Sequence, residues 1–86
     1  MRTSDDQIYP IDDITGIVMN HNWDEDGKVI QIAIYTNKEE VYPIEHNQKE
    51  KELLNYIGSK VSVKGEMLRK NNGEQSIIVK NFLEKF

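Results

Sequence analysis

The sequence predicts an all-β chain with one short helix, folded as a single five-stranded barrel. Three observations carry this expectation. Five runs of β-branched and other apolar residues are separated by turn-forming residues. One segment with helical periodicity and a cap at each end falls between the third and fourth runs. The first run is long and contains a glycine. A strand that pairs on both sides of a small closed sheet needs such a point of bending.

Residues 1–11 are polar and without sustained periodicity, so they are predicted to form a flexible N-terminal arm. Ile8, Tyr9 and Ile11 suffice to tack its end to the body. Residues 12–86 are then one domain, the size for one modest core. Asp12 to Trp23 reads as the first strand, with Gly16 at a bulge or bend. Asp24-Glu25-Asp26-Gly27 makes a hairpin turn. Lys28 to Thr36 is the second strand: Ile30, Ile32 and Ile34 share one face, and Val29, Gln31, Ala33 and Tyr35 the outward one. Asn37-Lys38-Glu39 turns the chain into a third strand, Glu40 to Glu45. Pro43 in it must sit where the ladder needs no donor.

Asn47 is a good helix N-cap with Glu50 three residues on, close to a capping box. Leu53, Leu54 and Ile57 form an apolar stripe, and Gly58 is a natural stop. Lys60 to Lys70 alternates as a fourth strand, with Val61, Val63, Gly65 and Met67 on one face. Gly65 is expected where the strand curves or another backbone comes close. Asn71-Asn72-Gly73 is a second hairpin turn. Glu74 to Asn81 is the fifth strand, and Phe82, Leu83 and Phe86 are expected to cover an open end of the barrel. The predicted core is Val18, Ile30, Ile32, Ile34, Leu54, Ile57, Val61, Val63, Ile77 and Val79.

Composition narrows the function classes. The chain has no cysteine, which excludes a Cys-ligated metal, a thiol nucleophile and a redox pair. That fits a reducing compartment, and cytoplasmic placement is the expectation. Met1 to Pro10 has no apolar run, so no signal peptide is expected. No stretch nears the roughly 20 apolar residues of a spanning helix, so no membrane partner is expected. The formal net charge is -4, with a net of -6 in residues 1–27 and +3 in residues 58–86. An acidic chain is a poor non-specific ligand for polyanions, yet its basic third could attract one locally. A plain charge difference between two sides of a soluble domain explains the same asymmetry.

Gly58 to Glu66 (Gly-Ser-Lys-Val-Ser-Val-Lys-Gly-Glu) resembles the fourth strand of nucleic-acid-type OB-folds. Asn72 to Val79 resembles their fourth loop and fifth strand, and Ile14-Thr15-Gly16-Ile17-Val18 the opening of their first. The order of three strands, a helix and two strands is also that of the OB-fold Greek-key barrel. The resemblance extends to the anticodon-binding OB domains of some aminoacyl-tRNA synthetases, although no synthetase catalytic domain is present and the first loop is acidic. It implies a ligand across strands two and three, between the first and fourth loops.

On that basis the candidate ligand-binding residues are Trp23, Lys28, Gln31, Tyr35, Arg69, Lys70, Asn71 and Asn72. Aromatics would stack on bases, Lys and Arg would meet phosphates, and the amides would hydrogen-bond. The fourth loop is expected to carry its positive charge without neighbouring acids. Single-stranded DNA or RNA is the leading ligand. The alternative is a protein-interaction module, or one for a small ligand or oligosaccharide. The same residues also suit a bland reading, with Trp23 and Tyr42 as rim packing and Arg69 and Lys70 as solvated hairpin charges.

The Asp24–Asp26 turn lacks the ligand count of a calcium loop, and His21 and His46 have no recognisable metal spacing. Nothing pairs a Ser or Thr with an activating base. The expectation is therefore a monomeric binding module with no enzymatic activity, cofactor or metal.

Overall fold

The computed structural model describes residues 6–86. Along the chain run β1 (Gln7–Trp23), β2 (Val29–Tyr35), β3 (Val41–Pro43), α1 (Gln48–Leu53), a 3-10 turn (Leu54–Tyr56), β4 (Lys60–Arg69) and β5 (Gln75–Glu84). The strands form one antiparallel sheet in the spatial order β3-β2-β1-β4-β5, which differs from their order along the chain. The two edge strands come together at one point. Ile44 forms an isolated parallel bridge with Ile77, and the Glu45 amide donates to the Ile77 carbonyl at 2.8 Å. No helix among the described residues is long and apolar enough to cross a membrane.

β1 starts earlier than its sequence suggests. Gln7–Ile11, expected in a flexible arm, pair with Arg69–Gly65 of β4. Residues 1–5 of that arm lie outside the described residues. Periodicity is hidden here because β1 carries Asp12 and Asp13 opposite the single residue Lys64, a bulge that breaks the alternation. Asp13 is held at this bulge by the hydroxyls of Ser62 (2.5 Å) and Thr15 (2.8 Å). Those two hydrogen bonds, Ser62's the larger effect, keep its carboxyl below the usual carboxylate range.

Gly16 lies between bulges rather than at one. Around it the pairing with β4 is regular, and one residue later Ile17 pairs with both Lys60 and Tyr35. This is where β1 exchanges β4 for β2. A Cβ at Gly16 would run into the Tyr35 carbonyl oxygen and lie 2.7 Å from Ile34 Cγ2. Gly65 behaves as expected: the β4–β5 register shifts at Lys64/Gly65, and a Cβ would strike the Ile78 carbonyl oxygen.

The core consists of Val18, Ile32, Ile34, Ile44, Leu53, Val61, Val63, Met67, Ile77 and Val79. Three predicted members are absent from it. Ile30 is 49% exposed, because β2 carries it as an extra residue between the partners of Asn22 and Trp23. Leu54 and Ile57 are largely exposed, because α1 ends at Leu53 and Ile57 has an extended ψ of 128°. From that segment Leu53 is buried in the core and Tyr56 packs against it. Of the three C-terminal apolar residues, only Phe82 covers the core, meeting Tyr56 edge to face at 5.2 Å; Leu83 and Phe86 are exposed.

Candidate functional site

The sheet's register assembles a surface from β1, β2 and β3. Val18, Ile34 and Tyr42 are partners across three strands and face the core. Their neighbours along each strand therefore point outward. This gives one outward row of Ile17, Tyr35 and Val41, and a second of Met19, Ala33 and Pro43. Tyr35, Met19 and Val41 are 37%, 42% and 39% exposed. Ala33, expected outward, lies on this face but is fully buried, a methyl group shaded between its larger partners.

One step further along β2 the surface turns polar. Asn22 pairs with Gln31, and its side-chain amide donates to Gln31 Oε1 at 2.9 Å. Here a cleft of about 340 Å³ opens, lined by His21, Asn22, Gln31, Pro43 and Glu45 on one side and by Lys70, Glu74, Gln75 and Ser76 on the other. The Ile44–Ile77 junction brings these two sides together. Ser76 Oγ donates to Glu45 Oε2 at 2.5 Å across it, fixing that carboxylate in the cleft wall. The Tyr35 hydroxyl lies 3.4 Å from His21 Nδ1, and the two rings meet edge to face, linking the apolar rows to the cleft.

The structure thus gathers some of the residues expected at a ligand site and separates others. Gln31 and Lys70 line the cleft, and Tyr35 adjoins it through His21. Arg69, Lys70 and Asn71 line a shallower depression with Gln7 and Gly73. Trp23 and Lys28 stay at the β1–β2 turn. Trp23 is 54% exposed opposite Val29, and the Lys28 amide is bound by the Asp24 carboxylate. Asn72 is engaged within its own turn, accepting from the Glu74 amide at 3.0 Å.

The fourth loop is not free of acids. The Asp6 carboxylate accepts from the Asn71 amide at 3.2 Å, and the Lys70 amide donates to the Glu74 carbonyl, setting Glu74 beside Lys70 across the turn. Glu45 and Ser76 carried no local signal in the sequence. They are 31 residues apart and meet only through the tertiary junction.

Comparison with family models, curated proteins and solved structures finds no match to this chain.

Proposed function

We propose that this is a binding module of the OB type, closed at the Ile44–Ile77 junction, whose ligand is an extended polypeptide segment lying along β2 on the outer face. The barrel closure is supported by the Glu45–Ile77 hydrogen bond and by the way β1 serves both β2 and β4. The observation that carries the ligand reading is the pair of outward cross-strand rows, Ile17–Tyr35–Val41 and Met19–Ala33–Pro43. Met19, Tyr35 and Val41 are the exposed apolar members of these rows, and grouped exposed apolar side chains rimmed by polar residues favour a protein contact.

A single-stranded nucleic acid is the weaker ligand for this face. Base stacking needs several aromatics on one basic surface. Of Trp23 and Tyr35, only Tyr35 lies on the rows, and the adjoining cleft carries two carboxylates. The test is an NMR titration of the labelled full chain with capped ten-residue peptides of alternating Val and Ser, and separately with twelve-nucleotide oligo-dT and oligo-rU at two salt concentrations. The expected result is peptide-induced shifts at Met19, Tyr35 and Val41. Salt-sensitive shifts there with the oligonucleotides alone would overturn the reading.

A further inference from the structure

We infer that the bound segment is basic where it reaches the cleft, and that an arginine side chain seats between Glu45 and Glu74. The inference rests on the polypeptide reading above and specifies its partner.

The two carboxylates come from opposite walls, one just after β3 and the other just before β5. Neither has a cationic partner among the described residues: the ion pairs there are His46–Glu50, Lys49–Glu52 and Lys80–Glu66. Lys70 lines the same cleft and is within ion-pairing distance of neither. Glu45 is held in place by Ser76, so its position is set before any ligand arrives. Glu74 makes no side-chain hydrogen bond among the described residues, so its carboxylate is open to a donor from outside.

Of the described residues that line the cleft, Glu45 and Glu74 are acidic and Lys70 is basic, so the lining carries a net negative charge. A phosphate or carboxylate entering the cleft would meet like charge, whereas a guanidinium would meet complementary charge. Its planar donors pair with carboxylates two at a time, and amide oxygens such as Gln31's accept the remainder. A cleft of about 340 Å³ has room for that group and its aliphatic stem. The partner is therefore a segment with apolar residues on the Tyr35 and Met19 rows and a cation one step beyond.

The experiment compares four capped peptides with one alternating Val/Ser body and, at both ends, arginine, lysine, citrulline or glutamate. Citrulline keeps arginine's shape without its charge. Binding to the full chain is followed by NMR shifts. The arginine peptide is expected to bind about tenfold more tightly than the citrulline peptide at low salt. In Glu74→Gln that preference should shrink, and in Glu45→Gln/Glu74→Gln it should vanish, with citrulline affinity unchanged. Glu74→Gln alone decides the matter if the double variant fails to fold, because Glu74 lends the fold no side-chain bond. Equal affinity for arginine and citrulline, with shifts at Tyr35 and Val41 in both, would overturn the cationic anchor and leave the polypeptide reading standing. No shift at Tyr35 or Val41 with any peptide would overturn both.

Discussion

Two glycines and one aspartate illustrate how single residues shape the sheet. At Gly16 an added methyl would meet the Tyr35 carbonyl, and at Gly65 it would meet the Ile78 carbonyl and lie 2.9 Å from the Lys80 nitrogen. These obstacles are mostly backbone of a neighbouring strand, so relief requires the strands to part. Gly16→Ala and Gly65→Ala should each cost about 1–3 kcal/mol, as overpacking does, read from urea midpoints. Wild-type midpoints in both would show that the strands are not so close. Asp13 acts through charge. Its folded carboxyl is held low by Ser62 and Thr15, so it stabilises the fold fully above the unfolded-chain value near about 3.9. That contribution is lost as pH falls through the lower folded value. Asp13→Asn should be less stable at neutral pH and show a flatter decline below about pH 4. Urea midpoints between pH 2 and 7 test this, and a profile parallel to wild type would contradict it.

At the scale of elements, what was legible in the sequence followed strict period and turn chemistry. The five strands, the Asn47 cap and both hairpin turns rest on local patterns. The inward alternation of β4 gave Val61 and Val63 correctly. Alternation failed where an extra residue entered a strand, at Asp12–Asp13 and at Ile30, because a bulge resets which side chains face in. The helix stripe failed because α1 has only six residues, too few to carry Leu53 and Ile57 on one face. The contrast is measurable. Ile32→Ala should cost about 2–5 kcal/mol, whereas Ile30→Ala should stay within about 0.5 kcal/mol. Equal losses would put Ile30 back in the core. Asn47 joins two elements: its Oδ1 accepts from the Glu50 amide at 2.9 Å and its Nδ2 donates to the Val79 carbonyl at 3.0 Å. Asn47→Ala should therefore destabilise by about 1–2 kcal/mol, while Asn47→Asp, which keeps only the cap, should recover part of that loss. No loss in the alanine variant would mean that the tie to β5 is inconsequential.

For the molecule as a whole, one junction governs both fold and site. Chain order showed that β3 and β4 flank the helix but could not show that β3 meets β5, since that contact depends on how far the sheet curls. For the same reason Gln31 and Lys70 could be named from the sequence, and Glu45 and Ser76 could not. The Glu45 amide bond to Ile77 is the backbone hydrogen bond that fastens β3's end to β5, with the Ser76–Glu45 side-chain bond across the same junction and Ile44 donating to Ile32 beside it at 2.9 Å. The cleft exists only while this contact holds, because Gln31 and Glu45 lie on one side of it and Glu74 and Ser76 on the other. Amide hydrogen exchange reads such contacts residue by residue. The Glu45 and Ile44 amides should be protected to a degree comparable with β4 and β5 amides in the sheet interior. Along Gln7–Gly16, by contrast, β1 has a partner on one side only, so its outward-pointing amides should exchange quickly. Loop-like exchange at Glu45, with β4 and β5 still protected, would mean that the sheet opens at this seam in solution. The two carboxylates would then no longer be held opposite one another, and the cleft would form only when a ligand bridges it.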